Sequence, residues 1–188
     1  QNRGVIPPGS HLIALPITFF PYILFFVFAL PDIWKNRRDD AVKFCLGWIV
    51  PMWVILELSF TKLPHYVLPA FPAFALLTAK CLLDGFPSVM KTKRRFSIVL
   101  IVGTWIVIGT AFAFLFSLLP KIADGNFEMP QVIAGGALIL AQGTSLAFFI
   151  KGKTSSLVAL TLGGLIFLST TFGSTLPRLQ HVWMSREI

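Results

Sequence analysis

Charge is scarce in this sequence. Only 13% of its 188 residues are Asp, Glu, Lys or Arg, while 55% are hydrophobic, far more apolar than a soluble domain needs to fill one core. With a mean hydropathy of +0.78, the chain reads as a membrane protein. Cysteine is also nearly absent: Cys45 and Cys81 are the two present, which excludes a disulfide scaffold and a Cys-pair zinc motif. No Gly-rich phosphate loop and no serine-nucleophile motif occurs. The three histidines, His11, His65 and His181, lack local ligand spacing, so no metal and no cofactor is expected within this chain. No acid pair suited to general acid/base work stands out either, since Asp124 and Glu128 share the turn-like "PKIADGNFEMP".

What is present is a repeated apolar run. Six stretches of roughly 17 to 23 residues, long enough to cross about 30 Å of hydrocarbon, cover approximately 12–30, 44–60, 67–83, 98–119, 132–150 and 157–176. This pattern predicts an all-α polytopic membrane protein with about six transmembrane helices in a single domain. No secretory signal opens the chain, whose first ten residues are polar and proline-rich, and it ends as abruptly in "RLQHVWMSREI". A fragment of a longer protein, cut at both ends, is therefore expected.

The net charge of +8 would suggest nucleic acid for a soluble protein, but here it is read against the membrane. "DIWKNRRDD" with Lys43, then "KTKRR" and "KGK", hold ten of the sixteen basic residues. By the positive-inside rule these connectors are cytoplasmic, and both chain ends face outward, toward the periplasm of a bacterial inner membrane. Membrane lipids rather than nucleic acid are the expected partner. Lys80, near the inner end of the third stretch, is expected to snorkel. Gly103, Gly109, the "AGGA" run, the "LGG" run and Gly173 suit close helix packing.

On the outer side, "FTKLPHYVLPAFP" sets Lys62, His65 and Tyr66 among Pro64, Pro69 and Pro72. The prolines remove backbone donors and bias Leu63, Leu68 and Phe71 away from helical geometry. Freed carbonyls at that depth call for protein or water around them, so the cluster either lines a wet cavity or consists of interfacial anchors at a helix start. Glu57, the one acid within a predicted span, lies about one and a half turns deeper than Lys62. It must find a partner, either a structural one, a basic residue or Thr61, or a polar substrate. The opening "NRGVIPPGSH" repeats the theme, with Pro7, Pro8 and Gly9 forming a non-helical entrance beside Arg3, Ser10 and His11.

The stretch "LELSFTKLPHYVLPAFPAFALLTA" resembles the signature of bacterial integral-membrane glycosyltransferases of the protein O-mannosyltransferase superfamily, similar to 4-amino-4-deoxy-L-arabinose lipid A transferase. The matching positions are Lys62, Leu63, Pro64, Tyr66, Leu68 and Pro69. "PPGSHLIALPITFFP" is similar to the segment with which that family re-enters the membrane, so the resemblance covers roughly residues 5 to 85. It implies a GT-C type fold and transfer of a sugar from a polyisoprenyl-phosphate donor to a lipid or protein acceptor, as in lipid A modification of the cell envelope. It implies that Lys62, His65, Tyr66 and Arg3 meet the donor phosphate or sugar, and that Glu57, Pro64, Pro69, Pro7 and Pro8 shape the cavity. The catalytic acid of the family precedes this chain, which alone is expected to be inactive. The competing reading is a secondary transporter or flippase module, which broken helices and an intramembrane acid also mark.

Overall fold

In the computed structural model, residues 9–59, 63–85, 95–126, 128–175 and 177 are described. Among these residues seven α-helices follow one another: α1 Ser10–Thr18, α2 Ile23–Lys35, α3 Asp40–Leu58, α4 Phe71–Leu83, α5 Arg95–Asp124, α6 Met129–Ile150 and α7 Ser155–Thr170. A 3-10 helix, Pro64–Ala70, leads into α4, and a π turn, Thr171–Thr175, ends α7. No strand occurs among the described residues. The chain is an all-α multi-pass membrane protein.

Among the described residues, five segments are long and apolar enough to cross a membrane: Asp40–Leu58, His65–Leu83, Ser97–Ile122, Met129–Ile150 and Ser155–Gly173. Their outward side chains are large and apolar, with Leu83 76% and Leu58 75% exposed, a surface matched to hydrocarbon rather than water. The run expected to span residues 12–30 is the exception. α1 stops at Thr18, and α2 starts at Ile23 after a turn closed by the Tyr22 N–H donating to the Phe19 carbonyl at 3.0 Å. Pro21 has no N–H to give and its ring excludes a continuing helix. At nine residues, α1 rises about 14 Å, under half the hydrocarbon thickness.

Two compact units form, Gln1–Val102 and Gly103–Ile188. In the first, α2 is the innermost helix: Leu24, Phe25, Phe28 and Ala29 are buried, and α4 packs along it. Aromatic rings knit α4 to the α1–α2 turn. Phe19 lies 5.1 Å from Phe71 and 5.5 Å from Phe74, and Phe26 lies 4.7 Å from Phe74. α3 is capped by Asp39, whose side chain accepts from the Ala41 N–H at 2.9 Å. That hydrogen bond, aided by Lys80, holds the Asp39 carboxyl below its ordinary range. Lys80 does not simply snorkel outward: its ammonium lies 2.8 Å from Asp84 and 3.5 Å from Asp39, linking α4 to the cap of α3.

In the second unit, α6 and α7 form an antiparallel hairpin turning through Gly152, whose φ of 71° favours glycine. Small residues set the spacing. A Cβ on Gly163 would meet the Ala141 side chain and lie 3.2 Å from the Ala137 carbonyl, and a Cβ on Gly109 would overlap the Gln142 amide. Gly103, Gly136 and Gly173 have open space instead, so the packing role read from sequence applies to only some glycines. Buried polar side chains bond across the helices: Ser145 donates to the Ser156 carbonyl at 2.8 Å, Gln142 to the Trp105 carbonyl at 3.3 Å, and Gln131 to the Thr171 hydroxyl at 2.9 Å. The Thr175 hydroxyl lies 3.1 Å from both Gln131 Oε1 and Glu128 Oε2.

Since Gly163 leaves no room for a larger side chain, Gly163→Leu is expected to force α6 and α7 apart and lower stability by about 1–3 kcal/mol. Reversible unfolding in mixed micelles measures this. A variant as stable as the parent protein would reject the close-packing account.

Candidate functional site

The proline-rich stretch folds less irregularly than its sequence suggests. Leu63, at φ −108° and ψ 139°, is extended as expected before Pro64. Leu68 and Phe71 are not displaced from helical geometry. Leu68 sits within the 3-10 helix, and Phe71 is right-handed helical at φ −60° and ψ −38°. Pro72 costs α4 nothing, because it stands in the first turn, where an N–H has no partner within the helix. The 3-10 helix buries Val67 and Ala70 against α1, α3 and α4. His65 is exposed, Tyr66 is half-buried, and their rings meet edge to face at 5.0 Å and 81°. The Tyr66 N–H donates to the Leu63 carbonyl at 3.0 Å. Pro64 opens this segment and Pro69 lies exposed within it. Lys62, Arg3, Pro7, Pro8 and Thr61 lie outside the described residues.

Glu57 stands in the last turn of α3 and reaches the first turn of α1. Gly9, the N-cap of α1, adopts φ 91°, a left-handed conformation that suits glycine. Its N–H donates to Glu57 Oε2 at 2.8 Å. A carboxylate is favourable there because it meets a first-turn donor and the positive end of the helix dipole. The other carboxylate oxygen lies 3.7 Å from His11 Nδ1. His11 is 3% exposed, and its ring meets Trp53 of α3 edge-on at 6.5 Å and 74°. The structure thus gathers Glu57, Gly9, Ser10 and His11 at the junction of α1 and α3, with the 3-10 helix packed against both helices.

Beside this junction lies an apolar cavity of about 360 Å³ whose walls include Leu12, Leu15, Phe26, Ile49, Trp53 and Phe74. Trp53 belongs to both, since it lines the cavity and touches the His11 ring. No three His, Cys, Asp or Glu side chains converge on a metal position among the described residues.

Sequence reasoning singled out Glu57 but looked for its partner in a basic side chain or in Thr61. One partner is a main-chain N–H 48 residues away, while Thr61 lies outside the described residues. Gly9 and His11 carry no local signature of that pairing. The available hint is that an acid at such depth needs a donor and that a helix start has donors to spare.

Three curated proteins match parts of the chain. An uncharacterized protein of Aquifex aeolicus is 33% identical over 69 residues, 37% of this chain and 14% of that protein. Undecaprenyl phosphate-alpha-4-amino-4-deoxy-L-arabinose arabinosyl transferase 1 of Pseudomonas fluorescens is 36% identical over 78 residues, 41% of this chain and 14% of the relative. The corresponding transferase 2 of Sodalis glossinidius is 42% identical over 53 residues, 28% of this chain and 10% of the relative. The chain therefore matches a small part of each relative. No family model matches it, and no solved structure matches it.

If Glu57 pins the start of α1, Glu57→Ala is expected to raise hydrogen exchange at the Gly9 amide about tenfold or more. Glu57→Gln, which keeps an acceptor, should raise it less. Exchange measured by NMR in nanodiscs checks this, and unchanged Gly9 protection in Glu57→Ala would remove the contact from the account.

Proposed function

We propose that the chain forms part of a membrane glycosyltransferase that moves a sugar from a polyisoprenyl-phosphate donor to an acceptor on a lipid, such as lipid A, or on a protein. The transfer takes place at the periplasmic face of a bacterial inner membrane. The observation that carries this reading is the similarity of segments of 53 to 78 residues to two aminoarabinosyl transferases. The architecture supports it: an apolar cavity able to accept part of an isoprenoid chain lies beside a polar junction and a 3-10 helix bearing His65 and Tyr66.

In the proposed reaction an acceptor oxygen forms a bond to the anomeric carbon while the bond from that carbon to the phosphate oxygen breaks. The electron pair leaves on the lipid phosphate, and the acceptor proton passes to a base supplied by residues outside this chain. Negative charge grows on the departing phosphate, so a cation held at the membrane surface lowers the barrier. Lys62 takes that role, with Arg3 as a second cation able to grip phosphate with two N–H groups. Tyr66 and His65 hydrogen-bond phosphate or sugar. Pro64 and Pro69, with Pro7 and Pro8, shape the entrance, and Glu57 orders it through the start of α1.

Lys62→Ala in the full-length protein, reconstituted with radiolabelled undecaprenyl-phosphate sugar, should lower kcat/KM by about 10²-fold or more. Lys62→Arg should recover part of the loss. Unaltered turnover in a folded Lys62→Ala protein would refute the assignment of Lys62. Orientation has its own test, in a background where Cys45 and Cys81 are replaced by alanine. An impermeant maleimide applied to intact spheroplasts should label Asn126→Cys and spare Thr154→Cys. The reverse pattern would place the site on the cytoplasmic face.

A further inference from the structure

Three polar atoms at the start of α1 are buried without a hydrogen-bond partner: Ser10 Oγ and both ring nitrogens of His11. His11 is almost wholly buried, at 3% exposure. A neutral imidazole brings one donor and one acceptor, and a serine hydroxyl brings one donor and two acceptor lone pairs. Buried groups of this kind are normally satisfied, so their arrangement specifies what belongs between them. The complement must both donate and accept within a small space.

Chemistry narrows the choice. An apolar group satisfies none of these atoms. An anion is disfavoured because the helix start is already served by the Glu57 carboxylate, with Oε2 at 2.8 Å from the Gly9 N and Oε1 at 3.7 Å from His11 Nδ1. A transition metal would find one imidazole and one carboxylate, and no third His, Cys, Asp or Glu joins them among the described residues. A hydroxyl fits, because it can accept from the Ser10 hydroxyl while donating to one imidazole nitrogen, the other nitrogen facing the Glu57 carboxylate at 3.7 Å. Trp53 connects this nest to the apolar cavity, whose wall includes Leu12 and Leu15 of the same short helix. A ligand carrying hydroxyls on one end and an apolar chain on the other therefore matches both features at once.

We propose that Ser10, His11 and Glu57 form a hydroxyl-recognising subsite that takes a sugar hydroxyl of a lipid-linked glycoside and is distinct from the phosphate-binding role assigned to Lys62. The identity of the ligand rests on the glycosyltransferase reading above. In this arrangement Glu57 acts twice: it holds α1 in register through Gly9, and it keeps phosphate away from the sugar position. The same hydroxyl chemistry is available from a resident water, and the test separates the two sources.

The test uses the full-length protein in nanodiscs with ¹⁵N-labelled imidazole rings, the His11 signals being assigned by their loss in His11→Phe. Octyl β-D-glucopyranoside, kept below its micellar concentration, is titrated against octane and octyl phosphate. The glucoside is expected to shift the His11 nitrogens saturably, and the two controls are not. Its affinity should fall at least threefold in Ser10→Ala, a small change that leaves α1 free to fold, and at least tenfold in His11→Phe, followed there by glucoside saturation-transfer signals. His11→Gln, which keeps a donor and an acceptor, should fall less. A stronger response to octyl phosphate, or glucoside binding unaffected in both Ser10→Ala and His11→Phe, would overturn the proposal. So would a resident water seen by magnetisation exchange at the His11 ring that the glucoside fails to displace. Transfer assays report on Lys62 and this equilibrium titration reports on Ser10 and His11, so either reading can fail while the other stands.

Discussion

Hydrocarbon supplies no hydrogen bonds, and most of this structure follows from that deficit. A polar group carried into the membrane region must be met by another group of the protein, by water or by a ligand. At the junction of α1 and α3, one oxygen of the Glu57 carboxylate takes the Gly9 N–H at 2.8 Å. That contact satisfies a helix-start donor and a deep acid together. It also joins two parts of the chain, and the 3-10 helix carrying His65 and Tyr66 packs on both. The arrangement of the candidate site depends on that junction.

In the second unit, uncharged polar side chains answer the same problem. Gln142 reaches the Trp105 carbonyl, Ser145 reaches the Ser156 carbonyl, and Gln131 bonds the Thr171 hydroxyl at the base of the π turn. Such bonds add little individually within a membrane, yet each removes a cost that lipid would impose. Glycine acts alongside them. Gly109 leaves room for the Gln142 amide and Gly163 for Ala141, so backbone approach and polar pairing are two aspects of one packing solution. The π turn falls where Gln131, Thr171 and Thr175 converge, in keeping with the tendency of such turns to occur where local hydrogen bonding departs from the helical pattern.

These features bear on function through a division of labour. Under the proposed function, the apolar cavity, the buried Ser10 and His11 atoms and the proline-rich segment answer to the chain, the sugar and the phosphate of a lipid-linked sugar. In that reading, the Glu57 carboxylate beside the sugar position disfavours phosphate there. Residues distant in sequence must cooperate for this, because the first turn of α1 and the last turn of α3 contribute to the same few ångströms of space.

Much of the architecture was legible in the sequence, because apolar run length is a local property tied to membrane thickness. Five of the expected spans coincide with helices to within a few residues. The run over residues 12–30 is broken into α1 and α2, since hydropathy does not register the helix-ending geometry of Pro21 in an otherwise apolar stretch. Leu63 followed its proline as expected, whereas Phe71 stayed helical because Pro72 stands in a first turn, where a missing N–H is harmless. That Glu57 required a partner was evident from composition and depth. Which partner it took, and that His11 is buried beside it, depended on contacts between residues nearly fifty positions apart. The sequence by itself determined that the chain enters a membrane, where its helices run and that an acid at that depth needs company, all consequences of local solvation. Only the tertiary structure decided which donors answer it, because hydrogen-bond geometry depends on how separate helices pack.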